Sequence, residues 1–397
     1  MENLLQKKNE RHGGIDLFRV VAMFMVVILH VNGIGGVLRN PANTALSPLW
    51  FISSAIQILC VIAVNCFALI TGFVNVGRKA KIKNLISLWL QAFFISIVVF
   101  AVKIIIQEEV FSFTLLLKRI FIVTFNRWWY FTAYFLLFFF IPILNLAMEK
   151  FGKVLMASLI IALGVLFCVV GYIMPAEVFG LVSGYSFLWL AYLYLVGAYI
   201  KKYDFKISIK GKPVRAWVYL AIYLVISVLH FVIELLLSRR GGYTSVPVNT
   251  VYTYALNLLA SVALLLFFAN LKFKTGKTLM FFSSTSFGVY LIHIAVGIEG
   301  KFTFLLNYHW VITVALVIAC AIAIYLACTI IEYLRQLLFK VCRINTLTEK
   351  IQTLILKIYD KLKARFEKEP ITETESVMEA KLEEKTEENP ITPPSEN

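Results

Sequence analysis

Charge is scarce in this chain. Only 15% of its 397 residues are charged, against 60% hydrophobic, a balance that argues against a water-soluble globular protein. The short signatures of several large enzyme classes are also missing. No GxSxG, P-loop, GxGxxG, HExxH or CxxC run occurs, which argues against ATP-driven transport and the usual soluble hydrolase domains. Cysteine is sparse. Cys60, Cys66, Cys168, Cys320, Cys328 and Cys342 lie in or beside apolar stretches without metal-type spacing, so they read as small buried hydrophobes and no metal site is expected. Acid is the rarer sign, with 23 Asp and Glu against 38 Lys and Arg and a formal charge of +15. A nucleic-acid partner is not implied, because the cations fall in short loops between apolar runs, where the positive-inside rule accounts for them. A cleavable signal is not evident either: Met1 to His12 is polar, and Asn32 to Asn43 carries no small-x-small site. His30 is therefore expected to remain in the mature protein.

What is present is length of apolar sequence. Ten stretches read as membrane helices, at about 15–34, 49–73, 85–106, 130–147, 154–174, 184–200, 214–237, 250–270, 279–298 and 309–331. The fold class expected is all-α, a polytopic membrane protein of about ten transmembrane helices. With a cytoplasmic N-terminus, inner loops and flanks hold 19 Lys and Arg and outer loops 7, a bias that places both termini in the cytoplasm. Phe111 to Phe125 has helical apolar spacing broken by Lys118 and Arg119, as expected of a helix lying in the outer interface. The reading divides the chain into a membrane domain over 1–335, an amphipathic cytoplasmic helix over 336–366 and a disordered acidic tail over 367–397. Ile351, Leu354, Ile355, Ile358 and Leu362 share one face of that helix, which suits a membrane surface or a homo-oligomer contact.

Three places concentrate polar chemistry. In the first span, Arg19 and His30 are eleven residues apart, which brings them within about 20° on a helix and about 16 Å along it, with Asp16 about 40° off the same line. Ionisable groups are costly in hydrocarbon and tend to face a bundle interior or a wet cavity. The competing reading leaves Asp16 and Arg19 at the interface and spends His30 on a hydrogen bond to a neighbouring helix. In the ninth span, Ser286, Tyr290 and His293 form a polar stripe that should face inward. The inner loop NVGRKAKIKN (75–84) carries Arg78, Lys79, Lys81 and Lys83, enough charge to hold a phosphorylated ligand or merely to set topology. The aromatic cluster that includes Trp129 and Tyr134 suits headgroup anchoring and also stacking on a sugar acceptor. Glu234, near the outer end of span seven, is a weaker acceptor candidate.

Four elements occur together: IDLFRxxAxxxxxxxxH (15–30), NCFALITGF (65–73) followed by basic residues, WWYFTAYFLLFFFIPILN (128–145) and SFGVYLIH (286–293). In that order they resemble the membrane acyltransferase-3 family, integral-membrane O-acyltransferases of bacterial surface glycans, over about residues 14–335. The resemblance implies transfer of an acyl group, usually acetyl, from cytoplasmic acetyl-CoA to a sugar hydroxyl at the bacterial plasma membrane. No bound cofactor is implied; acetyl-CoA is a co-substrate. It also implies that His30 is catalytic with Arg19 as its motif partner, and that Arg78 and Lys81 contact the donor; the shared helix face adds Asp16 to the catalytic group, and the charge of the loop adds Lys79 to the donor contacts. The family's loop motif is commonly Arg-x-x-Arg and is here Arg78-x-x-Lys81, which loses the bidentate fork at position 81.

A sugar hydroxyl is a poor nucleophile at neutral pH, and neutral imidazole suits the task of deprotonating it. His30 is expected as general base in direct transfer, with an acetyl-histidine intermediate as the rival. Ser286 or Tyr290 would hold the developing oxyanion, and His293, Trp129 and Tyr134 complete the acceptor side. The competing function is a transporter or flippase of a surface-polymer precursor, although the halves of the chain show no repeat. A non-catalytic scaffold would leave the Arg19 and His30 alignment without a reason.

Overall fold

A computed structural model describes residues 11–173, 178–240 and 251–366. The tail from 367 lies outside them. The chain is helical nearly throughout: α1 (Gly13–Asn32), α2 (Pro48–Val61), α3 (Ala63–Asn75), α4 (Ile82–Ile105), α5 (Phe113–Ile120), α6 (Trp129–Lys150), α7 (Lys153–Ile173), α8 (Phe187–Lys202), α9 (Ala216–Arg240), α10 (Ala255–Ala269), α11 (Lys277–Val296), α12 (Trp310–Val341) and α13 (Ile344–Phe366). The sheet among the described residues is a hairpin of Ser208–Ile209 with Lys212–Pro213. Its turn residues Lys210 and Gly211 both have positive φ, as a tight two-residue turn requires.

Local sequence sets the helix starts. Ser47 accepts a hydrogen bond from the Trp50 amide ahead of Pro48, and Ser186 does the same for Trp189. Both are side-chain N-caps of the ordinary kind. His12 caps α1 through Nδ1, which accepts from the Ile15 amide. Each of the ten expected stretches falls on a helix. Counting α2 and α3 together, seven of the described helices are long and apolar enough to cross a membrane: α1, α2–α3, α4, α6, α9, α11 and α12. The described part of α7 and all of α10 are apolar but shorter, and α8 has 16 residues.

One expected span is broken. The stretch 49–73 is two helices separated at Ile62, although it contains neither proline nor glycine at that point. The cause lies on another helix: the Tyr223 hydroxyl of α9 donates to the Leu59 carbonyl at 2.9 Å. That carbonyl would otherwise serve the amide of Ala63, the first residue of α3.

The chain divides into two compact units after Phe339. In the first, α1 is the central pillar, with 14 of its 20 residues buried and packed against α11, α2, α3 and α10. The outward faces of α4, α6, α7, α9 and α12 show large apolar side chains such as Val102, Ile143, Ile161, Val225 and Ile330. This is the inside-out arrangement of a bundle whose solvent is lipid. In the second unit, α13 leaves Leu354, Ile355, Ile358 and Leu362 of its apolar stripe exposed.

Small residues let helices approach. A Cβ on Gly72 would collide with the Tyr194 carbonyl, and one on Gly197 with the Leu69 carbonyl, so α3 and α8 cross backbone to backbone through a reciprocal glycine pair. Replacing Gly197 by Leu is expected to separate this crossing and destabilise the bundle by about 2 kcal/mol or more, read as a lower melting point and a smaller folded fraction in detergent. A Gly197→Leu protein that melts with the unsubstituted chain would show that the close approach is not needed.

Candidate active site

The site is built on α1 and α11, which run side by side in the same direction. Near their starts Asp16 meets Ser283, and near their ends His30 meets His293. Asp16 is 1% exposed and takes four hydrogen bonds. Arg11 Nε (2.7 Å) and Thr275 Oγ1 (2.9 Å) donate to Oδ2; Arg19 Nη1 (2.8 Å) and Ser283 Oγ (3.0 Å) donate to Oδ1. Its place in the first turn of α1 adds the helix dipole to this support. A buried carboxylate with that many donors is a fixed anchor, and what it fixes is Arg19, whose side chain is still 28% exposed.

Eleven residues along α1, His30 Nδ1 lies 2.9 Å from His293 Nε2, with the two rings stacked at 5.1 Å between centroids. His293 Nδ1 lies 2.6 Å from the Val289 carbonyl, and a carbonyl only accepts. Hence His293 carries its proton on Nδ1, and its Nε2 is an acceptor. His30 must then donate from Nδ1, which leaves its Nε2 as a lone pair. The chain of bonds thus selects the His30 tautomer that can take a proton.

That ring lines a cavity of about 260 Å³ that reaches from Arg19 and Ser283 at one end to Trp129, Tyr252 and Ile294 at the other. Met23, Val26, Phe67 and Phe287 make its middle apolar, and Tyr130, Ser284, Ser286 and Tyr290 complete its wall. At the His30 end Trp129 stacks with Tyr252 (5.7 Å between centroids), and Tyr185 packs against both (4.5 and 4.8 Å). Tyr252 is held from behind: its carbonyl accepts from Asn65 Nδ2 at 3.0 Å, and Asn65 Oδ1 accepts from Trp189 Nε1 at 2.9 Å.

A second, larger cleft of about 810 Å³ opens between the loop after α3 and the ends of α6 and α8. Among the described residues four cations line it, Arg78, Lys79, Lys201 and Lys202, against the single acid Glu149. Asn145 of α6 holds the loop by donating to the Asn75 and Arg78 carbonyls at 3.2 and 3.1 Å. Asn145 is itself held by the Tyr194 hydroxyl at 2.8 Å. Lys202 donates to the Met148 carbonyl, and Lys201 sits 5.1 Å over the Phe73 ring. Arg78 is near enough to Arg19 for the two charges to interact, so the cleft lies at the Arg19 end of the cavity.

The structure sorts the expected residues. His30, Arg19, Ser286, Tyr290 and Trp129 line one cavity, and Arg78 and Lys79 line the cleft. Asp16 acts beneath Arg19 and does not reach the cavity. His293, expected on the acceptor side, is 1% exposed and stands behind His30, outside the cavity wall. Tyr134 is likewise outside the wall, and Lys81, at the N-terminal boundary of α4, does not line the cleft. Glu234 does not face the outer surface: it is buried, with Oε1 3.6 Å from His230 Nε2 one turn earlier. Tyr130, Tyr252 and Ser283 in the cavity, and Lys201 and Lys202 in the cleft, are the residues that sequence reasoning missed. Ser283 was readable, since it lies one turn before Ser286 on the same stripe.

Replacing Asp16 by Ala should cost about 3–5 kcal/mol, because Arg19 loses its counter-charge in a mostly dry site. The check is a thermal melt of the purified protein, with Asp16→Asn falling between the two; a melt unchanged in Asp16→Ala would remove the anchor assigned to this residue.

No curated protein and no solved structure matches the chain. The profile of the acyltransferase domain family does match, over residues 12–329. That match takes in both helices of the seam, the cavity and the cleft, so the chain belongs to the acyltransferase-3 family and is a multi-pass membrane acyltransferase.

Proposed function

We propose that the protein transfers an acyl group, acetyl by preference, from cytoplasmic acyl-CoA to a hydroxyl of a lipid-linked or exported surface glycan, with His30 as general base. The observation that carries this reading is the hydrogen-bond relay from the Val289 carbonyl through His293 to His30 Nδ1, which leaves Nε2 free on a cavity-lining ring. The setting is the bacterial plasma membrane, with both termini in the cytoplasm, as the 19 to 7 bias of Lys and Arg favours.

The donor enters from the cationic side. Arg78, Lys79, Lys201 and Lys202 suit the phosphates of CoA, while Arg19, pinned by Asp16, offers its remaining guanidinium edge to the pantetheine arm. The thioester then lies in the apolar stretch of the cavity. The acceptor comes from the aromatic end, where Trp129, Tyr185 and Tyr252 present ring faces and edges suited to a sugar. As the acceptor oxygen attacks the thioester carbonyl carbon, His30 Nε2 takes its proton. The C–O bond forms, the C–S bond breaks, and the departing sulfur takes the proton back from His30. Nothing in the fold favours transport over transfer.

His30→Ala should lower acetyl-CoA consumption and acceptor acylation by about 10²–10⁴-fold, with helix content by circular dichroism unchanged. Purified protein, acetyl-CoA and a surface-polymer acceptor are enough for the assay, and full turnover in this variant would end the proposed mechanism. His293 is a positioning residue, and its role has its own signature. His293→Gln keeps an oxygen that can accept from His30 Nδ1, and should retain more of kcat than His293→Leu, with KM for acetyl-CoA similar in both; equal loss in the two variants would reduce His293 to packing.

A further inference from the structure

The second unit carries a surface that the acyl-transfer chemistry does not use. On α13, Ile351, Leu354, Ile355, Ile358 and Leu362 fall within an arc of about 100° around the helix axis. Leu354, Ile358 and Leu362 are 59%, 52% and 47% exposed. A contiguous apolar stripe of this kind marks a surface that meets something other than water. Two residues, Cys342 and Arg343, separate α13 from α12, so the helix begins where a membrane-crossing helix ends.

The charges of α13 are sorted as well. Measured around the axis from the middle of the stripe, Lys361, Lys350 and Lys357 lie at about 70°, 90° and 110° along one border. Glu349 and Asp360 both lie at about 170°, at the far pole. All five residues are exposed. Lysines on a border can lay their aliphatic stems along the apolar arc and lift their ammonium groups into a headgroup layer. Acids at the pole are held farthest from the same phosphates. Lys340 and Arg343 add positive charge at the junction with α12, as do Lys363 and Arg365 in the last turn. Leu356, on the polar side, departs from this pattern.

A second copy of α13 fits this surface less well. In a parallel pair each border of the stripe meets the opposite border of the other helix, and in an antiparallel pair it meets its own kind. The other border holds Gln352, Tyr359 and Lys363 and no acid. Both packings therefore leave the three lysines against neutral groups, another lysine or one another. An anionic headgroup layer supplies the missing sign along the whole row. We infer that α13 is an interfacial helix that docks on anionic phospholipid. Its apolar stripe lies at the boundary of headgroups and acyl chains, Lys350, Lys357 and Lys361 meet the lipid phosphates, and Glu349 and Asp360 face water. The inference does not depend on the acyl-transfer reading.

The test places a nitroxide at position 358, in the stripe, or at position 353, on the polar side. Ile358→Cys or Thr353→Cys is made in the full chain with Cys320 and Cys342 replaced by Ser, and each labelled protein is reconstituted in phosphatidylcholine vesicles with or without phosphatidylglycerol. Collision with oxygen reports hydrocarbon, and collision with a nickel chelate, present on both sides of the bilayer, reports water. With phosphatidylglycerol, the label at 358 should be open to oxygen and closed to nickel, and the label at 353 the reverse. Omitting that lipid, or raising the salt, should lift nickel collision at 358 towards the value at 353. Lys350→Gln, Lys357→Gln and Lys361→Gln together should do the same, whereas Arg at these three positions should keep it low. Should the Gln protein fail to fold, the comparison of the two lipid compositions still decides. A label at 358 that is open to nickel with phosphatidylglycerol, or equally shielded without it, overturns the inference. So does a label closed to both reagents and broadened by a second nitroxide, the mark of two α13 helices packed together.

Discussion

The requirement that polar groups within hydrocarbon find partners inside the bundle governs this architecture, and it is met most fully along the seam between α1 and α11. Asp16 at one end and the His30–His293 pair at the other tie the two helices at points far apart along α1. Each tie is polar and directional, so it sets rotation and register as well as proximity. Apolar packing alone would allow α1 to turn about its axis at little cost. With both ties made, the faces bearing Arg19, His30 and Tyr290 are committed to the same cavity.

Much of this is readable from the residues. The eleven-residue interval in α1 and the stripe in α11 are consequences of helical geometry, and both faces point inward as that geometry requires. Periodicity gives direction but not depth, which is why the stripe alone suggests an acceptor contact for His293 while the ring is found behind His30. The break at Ile62 has no local signal, because its cause is a hydroxyl on α9 whose nearness only the assembled bundle reveals. Tyr252 lies just ahead of α10, where no repeat marks it out. Lys201 and Lys202 fall under the charge bias of inner loops, a rule that fits every loop and so cannot single out one. Glu234 departs from its expected place for a different reason: His230, four residues earlier, gives it an internal partner, and that pairing is present in the sequence.

The two ends of the His30 cavity differ in kind. One is cationic and adjoins a cleft roomy enough for a nucleotide; the other is a cluster of aromatic rings braced by Asn65 and Trp189. Between them Met23, Val26, Phe67 and Phe287 make the walls apolar. On the acyl-transfer proposal, this arrangement is what would let a donor and an acceptor from different compartments meet at one imidazole.

The partners in the seam are distant along the chain, with 263 positions separating His30 from His293. At ordinary rates of synthesis the ribosome needs on the order of tens of seconds to cover that distance. During this interval the first helix has entered the bilayer while Thr275, Ser283 and His293 do not yet exist to greet it. A nascent chain must therefore shelter its opening helix, beside the insertion machinery or against α2 and α3, until the late arrival of α11. Any product cut short before that point lacks α11 and with it both ties of the seam.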